Sequence, residues 1–318
     1  MSQSKGTWLV VAALLAAPAA AQDETAPIEP RAAIIAPLAS EALLIDAAPL
    51  GSYAIAVGAR GHILRIDADL AWVQSPSPVD TQLTAVQFID ADHGWAVGHD
   101  AAILATDDGG VTWSLQHFAP ELEQPLFDVH FLDASRGFAV GAYGLMLQTA
   151  DGGESWEAVA YSDEEFADSH LNAIVQVGDL LLVVGERGTV YRSSDAGASW
   201  NPVEFPYDGS LFGALATDSG RIIAFGLRGH IFTTDDAGAS WREVTSSGSE
   251  SLNGGRVLAD DRVVIVGMNG VVLVSDDDAE TFTRRRDPAG EALAGAFEFP
   301  DGPLVVIGAS GFREFPLE

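Results

Sequence analysis

At 318 residues with 47% apolar side chains the chain has material for a sizeable core, which excludes a disordered tail. Sixteen basic against 46 acidic residues leave a formal charge of −30, a field that repels nucleic acid and anionic lipid head groups and keeps the chain soluble. With no cysteine there is neither a disulfide framework nor a lipid-bearing thiol, so a lipoprotein anchor is excluded as well.

In chain order, residues 1–21 (MSQSKGTWLVVAALLAAPAAA) carry one charge at Lys5, an apolar run from Trp8 to Ala17, and small residues at Ala19 and Ala21. This pattern predicts a secretory signal peptide cut before Gln22, and with the alanine-rich composition it places the mature protein in a bacterial periplasm. The apolar run is too short to span a bilayer comfortably. A Pro-rich linker follows over 22–33, and the remainder, 34–318, reads as one repeating domain.

One phrase recurs seven times: VGARG, VGHDA, VGAYG, VGERG, FGLRG, VGMNG and IGASG. Their first glycines, Gly58, Gly98, Gly141, Gly185, Gly226, Gly267 and Gly308, are spaced by 40, 43, 44, 41, 41 and 41 residues. Each period holds four short alternating stretches separated by turn residues, as in LFDVHFLD, RGFAVG, LMLQT and SWEAVAY over 126–161. Four strands per repeat of 40 to 45 residues is the signature of a β-propeller blade, so the expected fold is an all-β, seven-bladed propeller of four-stranded antiparallel blades. The last repeat stops before a fourth strand. RAAIIAPLAS, ahead of the first blade, is expected to supply that strand and close the ring.

Between third and fourth strands the repeats carry an Asp box, S/T-x-D-x-G-x-T/S-W. The complete copies contain Asp108, Gly110 and Trp113; Asp151, Gly153 and Trp156; Asp195, Gly197 and Trp200; and Asp236, Gly238 and Trp241. A fifth keeps Asp277 but has Ala279 and Phe282, and blade one keeps only Asp69 and Trp72. An aspartate that accepts backbone N–H bonds, a glycine at positive φ and a tryptophan to bury are all structural assets. A motif repeated in four blades points to different places around a ring, whereas catalysis needs different groups converging on one place.

Strand alternation puts the glycine turns and the connections between blades on one face of the ring and the Asp boxes on the other. The variable turn positions, Arg60, Asp100, Tyr143, Arg187, Arg228, Asn269 and Ser310, therefore surround one mouth of the channel. Three arginines there form a positive arc on an acidic body, suited to carboxylate or phosphate recognition. Thr84, Asn172 and Asn253, each following the first leucine of an innermost strand, are expected to point into the same mouth. These eight, Arg60, Arg187, Arg228, Tyr143, Asn269, Thr84, Asn172 and Asn253, make up the candidate partner-binding set. His62 and His230 sit at equivalent points of nonadjacent blades, so no metal or cofactor site is expected.

Residues 88–116 (FIDADHGWAVGHDAAILATDDGGVTWSLQ) and 131–159 (FLDASRGFAVGAYGLMLQTADGGESWEAV) resemble repeats of the Ycf48-like photosystem II stability/assembly factor family, the BNR-repeat proteins. The resemblance extends over 34–318 and implies a non-enzymatic propeller that assists assembly of a membrane protein complex. For family members outside photosynthetic organisms it implies an exported accessory protein, with RND-type exporters among the candidate partners; the free protein is expected to be a monomer. The alternative is a carbohydrate-active enzyme or lectin, because sialidases share the box. The sialidase F/Y-R-I-P motif is absent, GRIIAF at 220 and GFREFP at 311 being the nearest strings.

Overall fold

A computed structural model of the chain describes residues 28–160, 168–300 and 302–317. The signal-peptide reading and the first part of the linker reading lie outside the described residues.

The second strand of every blade is an apolar run, AIAV, WAV, FAV, LLVV, IIAF, VVIV and LVVI, with no alternation. A strand of this kind is stable only when both faces are covered. The chain meets that demand with seven sheets around a central axis, each strand pairing antiparallel with the next in sequence. The blades span Leu44–Ser75, Leu83–His117, Leu126–Ala158, Leu171–Pro202, Leu211–Val244, Leu252–Arg286 and Leu293–Phe315. Their apolar side chains form seven separate clusters, each shared by two consecutive blades, the last joining blade seven to blade one through Phe297, Val305, Leu64 and Ile66. The core is thus a ring of interfaces around an axis.

Closure differs from the expectation. Among the described residues six sheets have four strands, but blade seven has three, ending with Gly311–Phe315. RAAIIAPLAS is not a strand: it crosses blade one as a strap, where the Gln74 side chain donates to Ile34 O at 3.0 Å and accepts from Ala36 N–H at 2.8 Å. Ala36 and Ala39 pack into the cluster between blades seven and one. A buried glutamine that satisfies the strap's backbone from blade one removes its need for a ladder on blade seven.

Each innermost strand except that of blade three carries a register shift two residues from its start, as between Leu83 and Ala85 or Leu252 and Gly254. Blade three shows its shift on the partner strand at Val140/Gly141, which skips Phe127 all the same. A bulge leaves one extra residue per blade unpaired and re-aims its side chain.

Candidate partner-binding face

The seven-fold turn begins with a glycine forced by close approach. A Cβ on Gly58 would lie 2.8 Å from Leu44 Cα, and the next N–H, that of Ala59, donates to Leu43 O at 2.9 Å. In blades one to six this seats the turn on the start of the innermost strand and pushes the variable residue into the left-handed region, whereas in blade seven Gly308 pairs directly with Gly311 and the positive φ falls on Gly311, not on Ser310. Arg60, Asp100, Tyr143, Arg187, Arg228 and Asn269 have φ between 52° and 59°. An L-residue held there costs roughly 1 kcal/mol. The turns meet the blade connections: Asp100 O accepts from Ala119 N–H, and Ser169 O from Gly144 N–H, both at 2.9 Å.

Arg60, Tyr143, Arg187, Arg228 and Asn269 are all exposed on this face. Among the described residues Arg60 and Arg228 have no ion pair and no side-chain hydrogen bond, whereas Arg136, Arg221, Arg242, Arg262, Arg284 and Arg313 are all tied to carboxylates. Arg187 donates through Nη2 to Ser169 Oγ at 2.7 Å. Beside Arg187 lies a cavity of about 590 Å³ walled by Pro202, Phe205 and Tyr207. Tyr207 lies tilted against His230 with centroids 4.3 Å apart, and His230 bonds Glu243 at 2.6 Å. Tyr143 meets the His170 ring edge-on at 4.8 Å. Sequence reasoning missed this aromatic wall, although the tract FPYDG in a blade connection was its visible trace.

Thr84, Asn172 and Asn253 prove to be bulge residues, and they are held by neighbouring blades. Thr84 Oγ1 donates to Leu126 O at 2.7 Å, Asn172 Nδ2 to Leu211 O at 2.8 Å and Asn253 Nδ2 to Leu293 O at 2.8 Å. Each acceptor belongs to the first leucine of the next blade, so these side chains staple the ring while lining an axial cavity of about 330 Å³. The same cavity holds Asp46, Asp128 and Arg256, which the sequence reading overlooked. Asp46 Oδ2 accepts from Val86 N–H and Asp128 Oδ2 from Ile174 N–H, both at 2.9 Å and both across a blade boundary. Arg256 donates to Ala296 O and Ala47 O, one and two blades on. Burial pushes the Asp128 carboxyl up to about 7, with Asp46 adding in the same direction, against the pull of its N–H donors.

On the opposite face the boxes form one repeated network. Thr112 N–H and Oγ1 donate to the two oxygens of Asp108 at 2.9 and 2.6 Å, Thr106 Oγ1 donates to Oδ1 at 2.9 Å, and Gly110 N–H donates to Thr106 Oγ1 at 3.0 Å. Asp151, Asp195 and Asp236 repeat it, and so does Asp277 with Thr281. The Ser155 and Ser240 hydroxyls hold Asp151 and Asp236 down at about 2. Ser199 and Thr112 lower Asp195 and Asp108 likewise. Such carboxylates stay ionised and fully engaged, the opposite of what a general acid needs. In blade one Asp67, rather than Asp69, caps the shortened turn, accepting from Asp69 and Ala71 N–H.

The box glycine has a second duty. A Cβ on Gly110 would lie 2.6 Å from Ile55 Cδ1 of the preceding blade, so its absence lets that blade pack against the turn. Trp113, Trp156 and Trp200 stand edge-on to Phe88, Phe131 and Phe138, and Trp241 to Phe205. All four indoles sit in or against clusters shared with the preceding blade. Burying an indole contributes on the order of 3 kcal/mol.

A ring in which five of the blades carry the box network, with the box carboxylates committed to turns and, among the described residues, Arg60 and Arg228 unpaired on the other face, is a BNR-repeat propeller. The chain belongs to the family described as photosynthesis system II assembly factor YCF48, whose model matches residues 64–124 and 114–256, more than half of the chain. A stretch of 51 residues is 43% identical to the chloroplastic photosystem II stability/assembly factor HCF136 of Guillardia theta, covering 15% of this chain and 13% of that protein. A stretch of 86 residues is 33% identical to HCF136 of Cyanidioschyzon merolae, covering 25% and 20%. The matched stretches thus span a small part of these relatives. Among solved structures, YCF48 bound to a D1 peptide superposes with a TM-score of 0.70 at 20% identity over 92% of this chain and 96% of that one. YCF48 from Cyanidioschyzon merolae gives 0.67 at 19% identity over 88% and 97%. A GH74 enzyme of Niastella koreensis gives 0.66 at 13% identity over 87% and 53%, a likeness of fold alone.

Proposed function

We propose that this protein is an exported, non-enzymatic assembly factor that holds an extended segment of a membrane protein against its glycine-turn face. The observation that carries this reading is the state of Arg60 and Arg228, which among the described residues stay unpaired on a chain of net charge −30. An unneutralised guanidinium displayed on so acidic a surface keeps its planar fork of donors available for a carboxylate of a partner. The turn-face wall of Phe205 and Tyr207 next to Arg187 adds an apolar seat beside the charge. A YCF48 that binds a D1 peptide shows the propeller of this family taking a peptide of another protein, which supports the same class of partner here. The periplasm is the proposed compartment, and an RND-type exporter is the first partner to test outside photosynthetic membranes.

Tagged protein should retain a membrane protein from detergent-solubilised membranes. Reversal of Arg60, Arg187 and Arg228 to glutamate should lower recovery at least about tenfold, a loss of roughly 1.4 kcal/mol, with the melting temperature unchanged. Asp107→Lys on the box face should leave recovery as it was. Full recovery with the triple variant overturns the arginine face.

A further inference from the structure

The last strand of blade seven, Gly311–Phe315, forms the outer edge of its sheet, and among the described residues nothing pairs with that edge. Its partner register runs Gly308↔Gly311, Val306↔Arg313 and Leu304↔Phe315, which leaves the N–H and C=O of Phe312 and Glu314 directed outward. The equivalent positions of blade one, Ile63 and Arg65, meet Ser75 and Val73 of a fourth strand. An open edge of this kind is a template for another extended chain.

The two sides of this edge differ in chemistry. On the blade-six side stands Arg285, which is cross-strand from Val272 and so shares its face, the one packed against blade seven. Arg284 and Arg286, on the other face, both reach Glu250, at 2.6 and 3.5 Å. Arg285 has no carboxylate partner among the described residues, and its Nε is shielded from solvent without a hydrogen bond. Near the seam with blade one the strap leaves Ile34, Ile35 and Leu38 exposed. The strap itself arrives from Arg31, paired with Asp80 on the connection from blade one to blade two, so the described chain enters on the far side of blade one from this edge.

We infer that the edge of blade seven accepts, by strand addition, an extended segment of a partner protein carrying carboxylates on one face and aliphatic residues on the other. Main-chain bonds to Phe312 and Glu314 give the affinity, and Arg285 against the exposed strap residues gives the direction of the alternation. This surface lies on the rim of the ring and is independent of the glycine-turn face.

The probe is a synthetic (Val-Glu)4 peptide, compared with (Val-Lys)4, titrated onto the full chain while amide exchange is followed residue by residue. The Phe312 and Glu314 amides should exchange freely in the unliganded protein and slow at least about tenfold on adding (Val-Glu)4. Glu314→Pro, which deletes an outward N–H at a position where an edge strand tolerates proline, should abolish that binding. Arg285→Glu leaves the ladder intact and should reverse the preference toward (Val-Lys)4, so a folding defect in the proline variant cannot decide the result. Binding that leaves the two amides unprotected, or a preference unaltered by Arg285→Glu, overturns the inference. So does protection of both amides before peptide is added, which would assign the edge to this chain's own residues. R60E/R187E/R228E should bind the peptide normally, so failure here is distinguishable from failure of the glycine-turn face.

Discussion

Asp108 shows how one side chain organises a turn: its two oxygens receive bonds from Thr106, Val111 and Thr112. Asp108→Ala should therefore lower the melting temperature by about 2–4 °C without altering partner capture, as loss of a capping residue does. The fifth box offers the opposite test. Ala279 sits at φ 60° where the complete copies have glycine, yet its network with Ser275 and Thr281 is intact. Ala279→Gly should stabilise the protein by about 0.5–1 kcal/mol in denaturant titration, because relief of left-handed strain outweighs the added freedom of the unfolded chain. The box was legible in the sequence down to its individual roles, since every partner of the aspartate lies within four residues of it. What the spacing hid is that the glycine makes room for Ile55, a residue 55 positions earlier.

At the scale of the element, the innermost strands are where sequence reading and structure part most clearly. Thr84, Asn172 and Asn253 stand at the channel, as their place after the first leucine implies, but their polar atoms are spent on the next blade. Asn172→Ala and Asn253→Ala should each cost about 1–2 kcal/mol by leaving the Leu211 or Leu293 carbonyl without its donor, and the costs should add because the sites are two blades apart. Equilibrium unfolding of the single and double variants checks both points. A bulge is invisible in a periodic pattern, because one extra residue in a strand reads the same as a strand one residue longer. The strap failed as a strand for a related reason: IIAP has strand-like residues, but Gln74, forty positions away, supplied the hydrogen bonds first.

At the scale of the whole ring, the channel staples make stability depend on pH. The Asp128 carboxyl is raised to about 7, so between about pH 4 and 7 the folded state binds more protons than the unfolded one, and stability falls as pH rises through that window. Asp128→Asn should remove this contribution, flattening the melting temperature between pH 5 and 8 relative to the parent. The box aspartates act in the opposite sense. Asp151 and Asp236, held at about 2, contribute stability above their ordinary range that is lost as pH falls toward 2. The parent should therefore be most stable in mildly acidic solution, and thermal melts across pH 2 to 9 check the position of the maximum.

The chain alone determined the number of blades, the strand order and which turns share a face, because each of those follows from a local pattern repeated seven times. It also determined the box, whose bonds close within one turn. Only the tertiary structure decided which polar residues are available. Thr84, Asn172, Asp46, Asp128 and Arg256 find partners across blade boundaries, whereas among the described residues Arg60 and Arg228 on the turn face and Arg285 at the rim do not. Whether a charge is spent or free depends on neighbours some forty or more residues away, and no spacing within a single repeat encodes them.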